Sequence, residues 1–332
     1  MSTSPSVSAA PPRRRRLRLL TSNLWIGLDH TRPLLVPPIE TPWAREARMR
    51  AIERGLCSVR LEPAPSVEQL TVFALQELNP VRRLSKRLAR AVGADGVERI
   101  EVNTGVRIGD LSWPPFLQEG LALLWRGAFR AGAVSRHRLS GDGWEGRVPG
   151  LDLPIGFHLA TRRGALVVSG EWMGTRLCFV DLHIHHTPHV EGQRSRRRDE
   201  LEKLLVLIEP EIAAADATFL LGDFNCTRLH PELQWLARQG FEELSLDRDG
   251  APMATWDPFL NPLCRKNTDA NPDPDGLAWD SVARQLDHVL CKRSPSFQPS
   301  WRASARRVFD SDAFGAWMSD HLGLVVDLEW AG

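Results

Sequence analysis

Oxygen and imidazole donors recur at the ends of short apolar runs along this 332-residue chain. Asn23 closes one such run, Glu77 the next, Asp181 and His183 another, and Asp223 with Asn225 follow Thr218-Phe-Leu-Leu221. Asp287 and the pair Asp320/His321 repeat the pattern near the C-terminus. Carboxylate and amide oxygens are the ligands a hard divalent cation takes, and histidine moves protons near neutral pH. Strand ends along one edge of a sheet converge in space, which is how α/β proteins commonly assemble a site. Each residue alone also has a bland explanation, because Asp and Asn close strands and turns routinely. The collection is what points to chemistry.

The elements that must position these residues follow from spacing. Residues 17–23 alternate weakly and read as a first strand, and Thr71-Val-Phe-Ala-Leu75 is a buried strand that delivers Gln76-Glu77. Met49, Ile52, Leu56 and Val59 recur at helical spacing, which predicts an amphipathic helix over 45–60. Asn79-Pro80 reads as a helix start with Asn as N-cap, Val81, Leu84, Leu88 and Val92 as its buried stripe, and Gly93 as the stop. The opposite face of that helix holds Arg82, Arg83, Lys86, Arg87 and Arg90. A solvated face is the default reading of such a run, and a phosphate-backbone contact is the alternative.

Strands are expected over 121–125, 157–161, 165–169, 177–181 and 218–221, and a helix over about 193–209. Arg194 to Arg198, at the start of that helix, read as solvated surface, with a substrate clamp as the alternative. Strands and helices mix throughout, and no linker after Pro42 is long enough to divide two domains. The expectation is a disordered tail over 1–16 and one α/β domain over 17–332.

Composition narrows the class. An apolar fraction of 42% supports a sizeable core, and a formal charge of +1 argues against a protein-wide basic field while leaving room for a local basic groove. Five cysteines without CxxC spacing read as unpaired thiols of a reducing compartment. No stretch approaches the roughly 20 apolar residues of a membrane span. The arginines at 13–16 lack the long apolar run of a signal peptide, which favours the cytoplasm.

Six ordered segments carry a family resemblance. Thr21-Ser-Asn23-Leu-Trp, Leu75-Gln-Glu77, Asp181-Leu-His183, Leu220-Leu-Gly-Asp223-Phe-Asn225, Leu286-Asp287-His-Val and Ser319-Asp320-His321 resemble, in order, the motifs of the endonuclease/exonuclease/phosphatase superfamily. The resemblance implies a four-layer α/β/β/α sandwich, two mixed β-sheets flanked by helices, with a cleft at one end of the sheets. It implies a divalent-metal-dependent phosphoester hydrolase using Mg²⁺, with Mn²⁺ as the alternative. Glu77 would be the principal metal ligand, helped by Asn23 and Asp320. Asp223 would orient or deprotonate water, and Asn225 would donate a hydrogen bond to a phosphate oxygen. His321 would contact the phosphate or act as base, with Asp287 holding its imidazole. His183 would protonate the leaving group or stabilise charge on the phosphate. Both Asp223 and His321 remain open as the acceptor of the water's proton.

The substrate is narrowed less. Histidine at 183 is closer to the pancreatic-type deoxyribonucleases, sphingomyelinases and inositol phosphatases than to the branch that cleaves abasic DNA. Residues 157–166, with Arg163 in place of Lys, faintly resemble a Lys-Gly strand of neutral sphingomyelinases. Thr255-Trp256 is similar to a segment before the Asp-His motif, and Trp256 would line the cleft or pack in the sandwich. Asp181 stands where the family has Asn, adding a negative charge near the site if it points inward. The reading is a phosphodiesterase acting on a small or lipid-type diester, sphingomyelinase-like in chemistry. The alternatives are a nuclease on DNA or RNA and a non-enzymatic binding protein on the same scaffold.

The run His183-Ile-His185-His186-Thr-Pro-His189 also suggests zinc. On a strand His183 and His185 would share a face and His186 would oppose them. No cysteine or carboxylate pattern completes a zinc site, so His183 is the functional expectation and His185, His186 and His189 are loop or cleft-wall residues. Cys226, directly after Asn225, reads as a small buried cysteine rather than a nucleophile.

Overall fold

The computed structural model describes residues 14–24, 42–61, 67–102, 105–108, 111–113, 119–140, 143–148, 153–158, 163–186, 195–264, 282–310 and 317–331. The chain runs β1 (Arg14–Asn23), α1 (Pro42–Val59), β2 (Val67–Leu78), α2 (Val81–Val92), β3 (Gly96–Glu101), β4 (Gly105–Ile108), β5 (Leu111–Trp113) and β6 (Gly120–Arg126). It continues through β7 (Arg130–Ser140), β8 (Gly143–Val148), β9 (Leu153–His158), β10 (Arg163–Trp172), β11 (Thr175–His183), α3 (Arg196–Leu207) and α4 (Glu209–Ala214). The last elements are β12 (Ala217–Asp223), α5 (Pro231–Arg238), β13 (Glu242–Glu243), β14 (Asp287–Arg293), β15 (Arg302–Val308) and β16 (Gly323–Ala331).

Two six-stranded mixed sheets result, in the orders β15-β16-β1-β2-β6-β3 and β13-β14-β12-β11-β10-β7, beside a four-stranded sheet β5-β4-β9-β8. Alternation along each strand sorts side chains between two faces. Leu17, Leu19, Val72, Leu177, Phe179 and Phe219 join one buried cluster drawn from both large sheets. Leu20, Phe73 and Leu75 point the other way, onto Ile52 and Leu56 of α1 and Leu84 and Leu88 of α2. On the far side, Val180 and Leu220 meet Leu201 and Leu204 of α3 and Leu236 of α5. The outcome is the expected four-layer sandwich. No helix among the described residues is long and apolar enough to cross a membrane.

Several boundaries differ from the sequence expectation for physical reasons. The first strand begins at Arg14 instead of Leu17, because its arginines find acidic partners across the sheet. Arg18 makes a buried fork to Asp327 at 2.7 Å and 2.8 Å, Arg16 approaches Glu329 at 3.2 Å, and Arg15 approaches Glu68 at 3.8 Å. The remainder of the expected tail, residues 1–13, lies outside the described residues. Helix α2 starts at Val81, and no side chain caps it; the Asn79 carbonyl instead accepts from Arg45 of α1. Gly93 ends the helix as expected, at φ 64°. The 193–209 helix is shorter, and Glu209 opens a separate turn, α4. Strands β7 and β15 carry few apolar residues because they are sheet edges with exposed side chains, so periodicity does not reveal them.

Candidate active site

Parallel strands β1, β2, β11 and β12 end at one rim of the sandwich. Antiparallel strands begin where their neighbours end, so β6, β10 and β14 start at that rim. This places Asn23, Glu77, His183 and Asp223 beside Glu119, Arg163 and Asp287, and Asp320/His321 arrive just before β16. Glu77, Glu119 and His183 have ligand atoms within 4.8 Å of one another, and Asp223, Asp287 and His321 form a second such group. Asn23 joins the groups, its Nδ2 donating to Glu77 Oε1 at 3.0 Å and to Asp223 Oδ2 at 3.1 Å. His183 Nε2 lies 3.6 Å from Glu77 Oε1 and 3.5 Å from Asp223 Oδ2.

Two backbone departures aim these groups. Val72 and Ala74 face the second sheet while Phe73 and Leu75 face the helices. Simple alternation would therefore send Gln76 inward and Glu77 under the helices. A shift in register between Leu75 and Leu78 and a left-handed Glu77, φ 55°, turn its carboxylate into the cleft. Asn225 is left-handed too, at φ 48°, so that its backbone N–H donates to Asp223 Oδ1 at 2.8 Å. Its side-chain amide donates one N–H to the Ile184 carbonyl at 3.0 Å, leaving the other for a substrate oxygen. Gly222 precedes this turn at φ 149°, where a Cβ would stand 1.9 Å from the Leu182 carbonyl oxygen.

Electrostatics distinguish the two histidines. His321 Nδ1 meets Asp287 Oδ2 at 2.8 Å. Burial alone would lower its pKa, but the carboxylates of Asp287 and Asp223 overcome this and hold the imidazole well above its ordinary value. His183 Nδ1 instead meets Arg163 Nη1 at 3.1 Å. A guanidinium only donates, so Nδ1 accepts and Nε2 carries the proton toward the cleft. Burial first, and Arg163 second, push His183 well below the usual imidazole range. Asp223 is raised to about 6, by burial and by Asp287 against the opposing pull of His321.

The Glu77 carboxyl is raised by burial and by the nearby Glu119 and Asp320. Crowded carboxylates of this kind are the oxygen donors a hard divalent cation neutralises. Glu119 Oε1 and Asp287 Oδ1 are buried with no hydrogen-bond partner among the described residues. The donor set thus fits a hard divalent cation, with Glu77 and Glu119 of one group and Asp223 and Asp287 of the other as its oxygen donors.

The expected site residues Asn23, Glu77, His183, Asp223, Asn225, Asp287 and His321 come together, with Asp320 close enough to act on Glu77. Glu119 and Arg163 join them without having been expected there. Both begin apolar strands instead of ending them, as Asp287 does, and that mirror-image pattern is the signal that could have found Glu119. Asp181 does point inward, one step below His183, where Gln76 Nε2 donates to it at 2.6 Å. Burial raises its pKa well above normal despite that bond, so the charge is disfavoured between the sheets and the carboxyl serves there as a hydrogen-bonding group.

The other expectations divide. Strand β11 ends at His183, so alternation stops and the His185 and His186 rings stack at 5.2 Å. Trp256 is buried edge-on against His321, with ring centroids 5.3 Å apart. Arg197 corrects the solvated reading of its run. It is 1% exposed, 3.4 Å from Glu232, and donates to the Asn225 carbonyl at 2.9 Å, supporting the left-handed turn from below. Cys226 is buried as expected. His189 and Arg194 lie outside the described residues.

Comparison with known proteins agrees with this geometry. Residues 20–321 match the model of the Endonuclease/Exonuclease/phosphatase family, and the chain belongs to that family of metal-dependent phosphoester hydrolases. No curated protein matches the chain in sequence. Among solved structures, a functionally unknown conserved protein from Enterococcus faecalis V583 superposes with TM-score 0.59 at 16% identity, over 94% of this chain and 98% of that one. Truncated Caenorhabditis elegans TDP2 gives 0.56 at 14%, covering 95% and 98%. The human Nocturnin catalytic domain with bound sulfate anion gives 0.56 at 16%, covering 98% and 100%. At such identities these structures share the fold.

Proposed function

We propose that the chain hydrolyses a phosphodiester by in-line attack of water on phosphorus, with Asp223 as the base and His321 as a fixed cation at the phosphate. The observation that carries this reading is the opposite pairing of the two imidazoles, His321 on Asp287 and His183 on Arg163. An imidazole already protonated cannot take a proton from water. Asp223, raised to about 6, is close to the range in which a general base works near neutral pH. The water oxygen bonds to phosphorus, its proton passes to Asp223, and the P–O bond to the leaving group breaks. His183 offers a neutral Nε2–H to the developing negative charge, a hydrogen bond in place of proton donation by an imidazolium. Asn225 contributes its remaining amide N–H. A divalent cation held by Glu77 and Glu119, with Asn23 and Asp320 adjoining, would neutralise charge on the phosphate oxygens.

The small or lipid-type diester expected from the sequence is not what these groups select. They address the phosphodiester centre and are indifferent to what it is esterified with. The test is hydrolysis of a generic aryl phosphodiester by wild type, Asp223→Asn and His183→Ala, with Mg²⁺ or Mn²⁺ and with chelator. Metal-dependent turnover lost in Asp223→Asn supports the reading. Turnover that survives chelator, or that Asp223→Asn leaves intact, sinks it.

A further inference from the structure

The helical layer over the first sheet carries charge out of proportion to the chain. The whole protein has a formal charge of +1, yet α2 holds five basic residues and no acidic one, and α1 holds four arginines against two glutamates. Arg87 is used within the layer, paired with Glu46 at 2.7 Å and Glu53 at 2.6 Å. Arg82, Arg83, Lys86 and Arg90 are exposed, and none makes an ion pair or hydrogen bond to a described residue. Arg82, Lys86 and Arg90 follow one another at four-residue intervals, in steps of about 6 Å along the helix axis. Like charges at this spacing weaken a helix. Nothing acidic on the exposed face of α2 offsets them, so folding supplies no reason for the ridge.

The ridge leads to the site. Helix α2 starts four residues after Glu77, and Arg45 of α1 donates to the Asn79 carbonyl between them. Trp43, two residues before Arg45, is 88% exposed. A basic track with an exposed aromatic ring is the combination that holds single strands, through phosphate contacts and base stacking. An anionic membrane would also meet a basic helix, but a membrane-surface helix inserts its apolar face. Here that face, Val81, Leu84, Leu88 and Val92, is already buried in the sandwich.

We propose that the outer face of α1 and α2 docks a nucleic-acid strand, with phosphates along Arg82, Arg83, Lys86 and Arg90 and a base on Trp43. This rests on the phosphodiester hydrolysis above and names the polymer that supplies the diester. The experiment measures anisotropy of a labelled single-stranded DNA oligonucleotide with the full chain, in chelator, across a salt series. It compares wild type, the quadruple variant Arg82→Gln/Arg83→Gln/Lys86→Gln/Arg90→Gln, its two paired halves, and Trp43→Ala. The quadruple variant is expected to lose about tenfold or more in affinity, with the salt slope falling by roughly 0.7 for each phosphate contact removed. The halves should share that loss, which guards against a misfolded quadruple variant, and Trp43→Ala should weaken binding without changing the slope. Aryl phosphodiester turnover with Mg²⁺ should be unchanged in every variant. Equal affinity and slope in wild type and variants overturns the proposal. So does a wild type that binds phosphatidylserine vesicles but not the oligonucleotide. If no protein hydrolyses the aryl diester while the binding difference persists, the hydrolase reading fails and the docking surface stands.

Discussion

His183 and His321 both turn Nε2 toward the same Asp223 oxygen, at 3.5 Å and 3.9 Å, and both are buried. They differ in what stands behind Nδ1. A carboxylate behind His321 favours the charged ring, and a guanidinium behind His183 excludes it. One residue type thus supplies a cation on one side of the cleft and a neutral donor on the other. The partner on the far nitrogen, and not the distance to the reacting centre, decides which.

Swapping or removing those partners is the most direct way to break the comparison. The largest effect is expected from Asp223→Asn, which removes the acceptor both rings address; kcat on an aryl diester should fall by about 10³, within the usual range for a general base. His321→Ala should lose a comparable factor of about 10²–10³, the scale of an electrostatic donor at a developing charge. Asp287→Asn is next, by about 10²-fold, and it carries a sign. Losing the carboxylate lowers the pKa of His321, so the imidazolium disappears at lower pH and the alkaline limb of the kcat profile moves down. An alkaline limb that stays in place would show that His321 is not the charged group.

Arg163→Gln sharpens the other half. Burial still depresses His183, but without the guanidinium its pKa should rise, and ¹⁵N-histidine spectra should show a new titration moving toward the normal range. The accompanying loss in kcat is expected to be about tenfold, one weakened hydrogen bond. A His183 resonance with unchanged titration would mean that Arg163 only packs there. The smallest effect belongs to a third imidazole, His288, whose Nδ1 meets Glu243 at 2.9 Å outside the cleft. Burial would lower His288, but Glu243 raises it, and His288 in turn lowers Glu243 against burial. Their contribution is therefore full between the ordinary values of 4.5 and 6.5. It is lost as pH falls through the lowered Glu243 or rises through the raised His288. Glu243→Gln should cost about 1–3 kcal/mol in denaturant stability inside that window and less outside it, with kcat little changed.

Much of the site is legible in the amino-acid sequence. Apolar runs ending in Asn23, Glu77, His183 and Asp223 mark the rim because side-chain type and strand period are local properties, whereas Asp287, expected at the end of a strand, begins one because β14 runs antiparallel to β12. The helix stripe of Val81, Leu84, Leu88 and Val92 and the stop at Gly93 are legible for the same reason. What cannot be read is whatever depends on a partner distant in sequence. Arg14 to Arg16 look like a solvated run until Glu68 and Glu329 stand beside two of them, and Arg197 looks like surface until Glu232 and the Asn225 carbonyl enclose it. The same holds for charge: the pKa of Asp181 is pushed up only once the two sheets close over it. Residue type and spacing determined which groups would reach one edge of the sandwich. The tertiary structure decided their protonation, because a pKa is set by burial and by neighbours that only packing brings within a few ångströms.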